Sequence, residues 1–262
     1  MFFLENPYVK ESKKYTVVIS WWWTRWFYAL WVLKWIEELK MEQNIKALYG
    51  VSAWSLVGSF WAAWMKADRV FDKFIDFKLV GLNRVNFLLG EGILKWNYLR
   101  EFIQKDLPKT FEELKIPFFV GATDLKKANF ILFSKWELVP AVVGSTSIPG
   151  VFPPVEFGDY ILADGWVMNN FPVAKAKEQF PENEIIWINL NKFQENQNIK
   201  NVLDVLNVSF EIMLRAGIDA GLNLVDHLFY RSLGISVLSS DKKGMKKIYE
   251  LGRRDCVNYF SK

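Results

Sequence analysis

Short β-branched and apolar runs alternate with amphipathic stretches along the first quarter of the chain, and this alternation most limits what the chain can fold into. The pattern predicts a strand at residues 15–20, a helix over 27–41, a second strand at 45–49 and a second helix over 55–65. Strands that alternate with helices form parallel sheets covered by helices on both faces. The sequence therefore predicts an α/β fold with three layers, α/β/α, around a mainly parallel central sheet.

The rest of the chain continues this pattern without a repeat or a linker. Further elements are predicted as strands at residues 116–122, 130–133, 160–163 and 184–190, and as a short helix over 139–146. Residues 202–259 are predicted to be helical. We therefore predict an N-terminal extension at 1–14 and a single domain over 15–262, with a core that bears the motifs at 15–190 and a helical part at 200–262.

Composition and charge exclude several classes of protein. The only cysteine, Cys256, can form neither an internal disulfide nor a cysteine zinc site, so a reducing cytosol is the default. The net charge of +4 is too small to indicate a nucleic-acid partner. The first residues lack the order of a signal peptide, and the most apolar window, 17–36, is interrupted by Arg25 and Lys34. We therefore expect a cytoplasmic protein without a membrane span.

A serine follows the second predicted strand at the point where the second helix begins. The segment Gly50-Val51-Ser52-Ala53 fits the strand-to-helix turn on which a nucleophile elbow exposes its serine. The N-terminus of the next helix favours negative charge, which eases deprotonation of the hydroxyl and stabilises an oxyanion. Ser52 is thus a candidate nucleophile, and the alternative is a small residue that fills a tight turn.

A hydroxyl nucleophile needs a base within hydrogen-bond reach, and the chain offers two candidates. Asp164 ends an apolar strand before Gly165, which predicts a partly desolvated carboxylate of raised pKa at the carboxyl edge of the sheet. Asp-Gly is also an ordinary turn dipeptide. His227, the only histidine, follows Ser52 and Asp164 in the order of a Ser-Asp-His triad. Residues 223–229, however, resemble an amphipathic helix, where a lone histidine usually lies on the exposed face.

Several motifs in fixed order give the chain a resemblance to a known family. They are, in chain order, Ser52 in its GVSA turn, Thr123-Asp124, Phe133-Ser134, the stretch IPGVFPP at residues 148–154, and Asp164-Gly165. Together they resemble the patatin-like phospholipases, or lipid acyl hydrolases, along most of the chain. The resemblance implies hydrolysis of fatty-acyl lipid esters through an acyl-enzyme, with Ser52 and Asp164 as a catalytic dyad. It implies no metal or organic cofactor.

The resemblance also assigns residues around the dyad. The glycine-rich oxyanion loop of the family, G-G-G-x-R-G, corresponds to residues 21–26, which read WWWTRW. The implied oxyanion hole consists of backbone N–H groups at Trp21, Trp22, Trp23 and Ala53. The residues that support the motifs are Arg25, Trp26, Gly50, Trp54, Gly165 and Trp166. Arg25 would hold the loop in shape, although an exposed cation at a helix start is an equally good interpretation.

Eleven of the thirteen tryptophans lie at positions where the family has glycine, namely Trp21, Trp22, Trp23, Trp26, Trp31, Trp54, Trp64, Trp96, Trp136, Trp166 and Trp187. An indole resists both positive φ and the close approach of backbone N–H groups to an oxyanion. We therefore hypothesise that the gene reads UGA as glycine and that these tryptophans arise from translating UGA with the standard code. UGG codons at positions 21, 22, 23 and 54 would disprove this. The tryptophan-bearing chain is expected to be overpacked and to fold poorly.

Other interpretations of the aromatic and basic segments stay open. The run WWWTRWF at 21–27 also fits an interfacial membrane anchor, a stacking platform for sugars or bases, or an overfilled core. In the first case the chain would be a catalytically dead, tryptophan-rich lipid-binding or membrane-binding protein. Residues 68–114, mostly amphipathic helix, are where a lid or lipid entry is expected. Transient contact with a membrane surface is suggested by a basic stretch that also fits a solvated helix face, namely Lys242, Lys243, Lys246, Lys247, Arg253 and Arg254.

Overall fold

A computed structural model gives the fold of the chain. It describes residues 13–20, 26–75, 97–150, 152–189, 199–200 and 221–230, with isolated positions between 202 and 212 and at 250. The strands are β1 (Tyr15–Ser20), β2 (Ile45–Val51), β3 (Phe118–Asp124), β4 (Asn129–Phe133), β5 (Val155–Phe157), β6 (Tyr160–Asp164), β7 (Glu184–Asn189) and β8 (His227–Tyr230). The helices are α1 (Trp26–Glu38), α2 (Ala53–Ala62), α3 (Ala67–Ile75), α4 (Asn97–Gln104), α5 (Leu138–Ser145) and α6 (Val173–Gln179).

The strands form one sheet with the order β5-β6-β3-β2-β1-β7-β8, and β4 pairs with β3 as well. The neighbours from β3 to β8 along this order run parallel to one another. The remaining strands, β4, β5 and β6, join by antiparallel pairs. The prediction of a mainly parallel sheet is therefore confirmed, and the antiparallel strands gather at one side of it.

Side chains alternate between the two faces of each strand, so the sheet separates two buried clusters. Val17 and Ile19 of β1 belong to the larger cluster, to which helices α1 to α5 contribute. Val18 of β1 belongs to the smaller cluster on the other face, with Val173 and Ala176 of α6. Helices thus cover both faces, which confirms the three-layer α/β/α architecture.

The strands and helices predicted before residue 190 appear with end points shifted by a few residues, but one later prediction is wrong. Residues 227–230 form β8 and not a helix, and they pair with β7 from Ile186 opposite His227 to Asn189 opposite Tyr230. A short apolar run has no periodicity that distinguishes a strand from a helix, so the free sheet edge beside β7 decides its conformation.

Some predictions fall on residues that the structure does not describe. The middle of the region in which a lid was expected, residues 76–96, lies outside the described residues. So do residues 1–12 of the predicted N-terminal extension and the six basic residues between 242 and 254. Within the described ranges, no helix combines the length and the apolar character that crossing a bilayer demands.

Candidate active site

Strands β2 and β6 meet end to end along one edge of β3. Strand β2 pairs with the first part of β3, where Val51 lies opposite Gly121, and β6 pairs with the last part, where Asp164 lies opposite Ala122. Strand β4 occupies the other edge of β3. The last residues of β2 and β6 therefore face each other. The sequence correctly predicted that Asp164 ends a strand at this edge of the sheet, but β6 is antiparallel and brings it there from the opposite direction.

Ser52 lies in a strained turn between β2 and α2. Its backbone has φ 59° and ψ −133°, a conformation that residues with a Cβ rarely adopt. The turn is also tight, because a Cβ at Gly50 would lie 2.6 Å from the carbonyl oxygen of Trp54. Glycine is thus required at position 50, two residues before the serine. The turn leaves Ser52 only 9% exposed.

Asp164 is fully buried and accepts a hydrogen bond from the hydroxyl of Ser52. The Ser52 Oγ donates to Oδ2 of Asp164 at 2.6 Å, and the backbone N–H of Trp166 donates to Oδ1 at 3.1 Å. Burial raises the pKa of Asp164 to about 8, although the hydrogen bonds from Ser52 and Trp166 act in the opposite direction. The structure therefore places the Ser52 hydroxyl next to the carboxyl group of Asp164, whose affinity for a proton is raised.

The backbone of Asp164 is held on both sides. Its N–H donates to the carbonyl oxygen of Ser147 at 2.9 Å, and its own carbonyl oxygen accepts from the Thr123 hydroxyl at 2.9 Å. The next residue, Gly165, packs so closely on β3 that an added Cβ would overlap the carbonyl oxygen of Gly121. The glycine of the Asp-Gly dipeptide thus allows the chain to pack closely on β3 at the site.

The backbone of Ser52 is held in the same way. The carbonyl oxygen of Ser52 accepts from the N–H of Ser55 at 2.9 Å and from its hydroxyl at 2.6 Å. The N–H of Ser52 donates to the Oγ of Ser145 at 3.0 Å. Analysis of the sequence missed Ser145, and the only signal there was a hydroxyl at the end of an otherwise apolar short helix.

Only part of the predicted oxyanion hole lies in the described residues. Ala53 is the first residue of α2, so its N–H is one of the helical N–H groups that have no acceptor within the helix. Trp21, Trp22, Trp23 and Arg25 lie outside the described residues. Trp26 begins α1, but its side chain is not among those described.

The other predicted tryptophans near the site differ in their surroundings. Trp54 is fully buried in α2, and its indole N–H contacts no hydrogen-bond acceptor in the described part of the chain. Trp166 is half-buried and contributes its backbone N–H to Asp164. A buried N–H group without a hydrogen bond destabilises the folded state, so tryptophan at position 54 is unfavourable in this fold.

His227 does not reach the dyad. Its Nε2 lies 2.8 Å from Oε2 of Glu184, the first residue of β7. Glu184 pairs with Tyr15, which in turn pairs with Ile45 at the start of β2, whereas Ser52 follows the end of β2. The histidine therefore lies at the opposite end of the sheet, and the structure does not form a Ser-His-Asp triad. Among the described side chains, no cluster of three or more His, Cys, Asp and Glu could hold a metal ion.

Comparison with known proteins agrees with this geometry. The model of the patatin-like phospholipase family matches residues 24–177, more than half of the chain, and this span includes Ser52 and Asp164. An NTE family protein of Mycobacterium bovis is 37% identical over 141 residues, which cover 50% of this chain and 37% of that protein. An NTE family protein of Mycobacterium tuberculosis strain H37Rv gives the same values. The chain thus spans little more than a third of the length of these relatives.

A solved structure supports the fold. The crystal structure of VipD from Legionella pneumophila aligns with 95% of this chain and 67% of the VipD chain, with a TM-score of 0.56. The sequences are 12% identical, so this similarity concerns the fold alone. Together with the match to the family model, it leads to one assignment: the chain belongs to the patatin-like phospholipase family.

Proposed function

We propose that the chain is a lipid acyl hydrolase that cleaves fatty-acyl esters with a Ser52-Asp164 dyad. One observation carries this proposal, namely the 2.6 Å hydrogen bond from the hydroxyl of a strained turn to a buried carboxylate. Strained backbone is retained where the surrounding structure enforces it, and such sites are often functional. A nucleophile in hydrogen-bond contact with its base is the arrangement that acyl transfer requires.

The reaction follows from these two groups. Asp164 accepts the proton of the Ser52 hydroxyl while Oγ bonds to the ester carbonyl carbon, and the resulting oxyanion intermediate collapses with loss of the alcohol. The departing alcohol oxygen takes the proton from Asp164. A water molecule then gives a proton to Asp164 and attacks the acyl carbon. The fatty acid leaves, and the proton returns to Oγ of Ser52.

The environment of Asp164 suits both directions of proton transfer. A general base works best when its pKa lies near the working pH. An exposed carboxylate is too weak a base for this, whereas burial raises the pKa of Asp164 to about 8. Burial of the carboxyl group is therefore the feature that makes a dyad without histidine chemically reasonable.

Negative charge on the attacked carbonyl oxygen needs N–H donors that are already in place. We assign one donor to the N–H of Ala53 at the start of α2. The resemblance assigns the others to the backbone at positions 21, 22 and 23. Donors of this kind typically contribute about 10²-fold to 10³-fold each to the rate.

We infer further that the functional chain carries glycine at the eleven tryptophan positions given above, and we name this the glycine form. Trp64 supports the inference, because it has φ 70° two residues after the end of α2. There the N–H of Met65 donates to the carbonyl of Phe60, and the N–H of Trp64 donates to the carbonyl of Trp61. These two bonds define a Schellman motif with Trp64 at the position that glycine usually occupies.

Two further tryptophans point the same way. Trp136 has φ 73° and a side chain that is 60% exposed, so no burial offsets its backbone strain. Trp187 is fully buried, and its ring centroid lies 3.9 Å from that of Phe171. Aromatic pairs normally keep their centroids about 4.5 to 7 Å apart, so this contact is crowded.

Expression of the gene in two codings tests the proposed function. The glycine form and the tryptophan form are offered a chromogenic fatty-acyl ester, and we expect hydrolysis by the glycine form and little or none by the tryptophan form. Ser52→Ala in the glycine form should abolish hydrolysis. Ser59→Ala is the matched control, because the hydroxyl of this buried serine donates to the carbonyl of Leu56 in its own helix.

Each possible result has a defined consequence. Equal rates for the two forms would contradict the glycine inference, and a fully active Ser52→Ala variant would contradict the dyad. Binding to phospholipid vesicles by both forms, with hydrolysis by neither, would favour the tryptophan-rich lipid-binding protein considered above.

A further inference from the structure

Ser145 connects the turn that carries Ser52 to strand β3 of the sheet. Its side chain is fully buried at the last residue of α5, and its Oγ donates to the carbonyl oxygen of Gly121 at 2.6 Å. The same Oγ accepts the N–H of Ser52 at 3.0 Å. A carbonyl oxygen can only accept and a backbone N–H can only donate, so the direction of both bonds is fixed.

The neighbouring hydroxyls of this helix end behave differently. Thr146 donates to the carbonyls of Val142 and Val143, and Ser147 donates to that of Val143. Such bonds to the preceding turn are the usual behaviour of Ser and Thr within a helix. Ser145 instead directs its hydroxyl away from its own helix, towards the Ser52 turn and strand β3. A serine at a helix end does not usually do this.

The turn that Ser145 contacts needs external support. The backbone of Ser52 has a positive φ, a strained conformation that persists only where the surroundings enforce it. The bonds from Ser55 hold the Ser52 carbonyl, but Ser55 belongs to α2 and moves with it. Ser145 holds the Ser52 N–H from outside that helix.

The Gly121 carbonyl also touches the other half of the dyad. Gly165, directly after Asp164, packs against this oxygen so closely that a Cβ would overlap it. The bonds of Ser145 therefore relate the Ser52 turn to the same peptide group of β3 that supports the Asp164 segment. A single buried hydroxyl thus links the Ser52 turn to the peptide group against which the Asp164 segment packs.

We propose that Ser145 is a positioning residue, which holds the Ser52 backbone so that its hydroxyl points at the Asp164 carboxylate. This proposal rests on the proposed function. Ser145 touches neither the substrate nor the reacting atoms, so its removal should lower the rate of the chemical step and leave substrate binding largely intact.

The test compares Ser145→Ala, Ser145→Thr and Ser145→Cys in the glycine form, with Ser59→Ala as the control for loss of a buried hydroxyl. We expect Ser145→Ala to lower kcat about 100-fold with little change in KM, because small misplacements of reacting groups cost about this much. Ser145→Thr retains the hydroxyl and should recover much of the loss, and Ser145→Cys, a weaker donor, should lie between the two.

A pH profile separates positioning from a merely structural role. The hydrogen bond from Ser52 lowers the pKa of Asp164, so a weaker bond should move the inflection of kcat to higher pH in Ser145→Ala. A Ser145→Ala variant with unchanged kcat and an unchanged inflection would overturn the proposal. A loss of kcat that Ser59→Ala reproduces at equal thermal stability would overturn it as well.

The failure of the proposed function gives a different result. If the glycine form itself hydrolyses no ester, the proposed function fails, and the role of Ser145 is then decided by amide hydrogen exchange at Ser52. Exchange of this N–H should be faster in Ser145→Ala than in Ser59→Ala if Ser145 holds the turn, and equal rates would overturn the proposal.

Discussion

Helix α2 has a residue of positive φ beyond each of its ends, and these two residues differ in burial and in hydrogen bonding. Ser52, before the first turn, is nearly buried, and both its N–H and its carbonyl are held by other serines. Trp64, after the last turn, is 57% exposed and occupies a helix end that glycine favours. The backbone is strained at both ends. Only at Ser52 does the strained turn orient a hydroxyl, which donates to Asp164.

The comparison shows how backbone strain should be interpreted. Strain at a buried residue whose N–H and carbonyl are both bonded by other side chains suggests a function, whereas strain at an exposed helix end indicates a position that glycine would occupy more favourably. Lys40 gives a reference point, because it has φ 55° at the equivalent position of the Schellman motif that ends α1. A residue with a Cβ is thus tolerated at a helix end, at a cost that substitution can measure.

The largest effect is expected at the Ser52 end of α2. In the glycine form, Ser52→Ala and Ser52→Gly should each lower ester hydrolysis by at least about 10⁴-fold, because both remove the nucleophile. Both also remove the hydrogen bond to Asp164, but glycine adopts φ 59° without strain. Ser52→Gly should therefore be more stable than Ser52→Ala by about 1 kcal/mol in chemical denaturation. Equal stabilities would show that the turn is not strained.

The next largest effect concerns the base that faces this end of α2. Asp164→Asn should lower kcat by about 10³-fold, within the range of general-base catalysis. In the parent glycine form, activity should rise as the pH passes about 8, because only the deprotonated Asp164 can accept the Ser52 proton. Rates measured from pH 5 to 10 check this, and a rate that does not depend on pH in this interval would argue against Asp164 as the base.

The same carboxyl group makes folding stability depend on pH. Burial raises the folded-state pKa above the unfolded value, so its stabilising contribution is complete below about pH 4 and is lost as the pH rises through about 8. The slope is at most about 1.4 kcal/mol per pH unit for one proton. Asp164→Asn should flatten this dependence in urea titrations at several pH values. An equal slope in both proteins would place the titrating group elsewhere.

A smaller effect is expected at the opposite end of α2. In the glycine form with tryptophan retained at position 64, Trp64→Gly should raise the free energy of unfolding by about 1 kcal/mol, because a left-handed backbone no longer carries a Cβ. The matched control is Trp61→Gly in the last turn. Trp61 is buried, and its indole N–H donates to Glu37 at 2.9 Å, so its loss should destabilise by about 3 kcal/mol or more. Destabilisation by Trp64→Gly would contradict the glycine inference at this position.

The smallest effect separates backbone strain from the loss of an indole. Lys40→Gly changes the corresponding position after α1 and should stabilise by up to about 1 kcal/mol. If Trp64→Gly and Lys40→Gly give similar gains in thermal denaturation, positive φ explains both. A gain at Trp64 alone would attribute the effect to the exposed aromatic ring.

The sequence predicted the parts of the molecule that local patterns determine. The alternation from Tyr15 to Met65 identified the first two strands and helices, and the glycine two residues before Ser52 identified the turn. The direction of β6 could not be predicted, because it depends on β3 extending three residues beyond the end of β2. The sequence did not predict β8, because four residues without a clear periodicity adopt the conformation that pairing with the sheet edge imposes.

The residues that hold the dyad were the hardest to predict. Ser145 bonds a backbone group 93 positions away, and nothing in its immediate neighbours marks it apart from other serines at helix ends. Roles that consist of contacts between distant segments become visible only in three dimensions. Ser52 and Asp164 could be singled out because each follows or ends a predicted strand and lies in a motif of the family that the chain resembles, whereas Ser145 has neither signal.

The end-to-end meeting of β2 and β6 has a consequence for how the protein is made. Ser52 is synthesised 112 residues before Asp164, and the carboxyl group reaches the hydroxyl only after β6 has joined the edge of β3. In a chain that has emerged from the ribosome only as far as α5, the Ser52 hydroxyl does not yet have Asp164 beside it. Under the proposed function, ester hydrolysis therefore requires that β6 has first paired with β3.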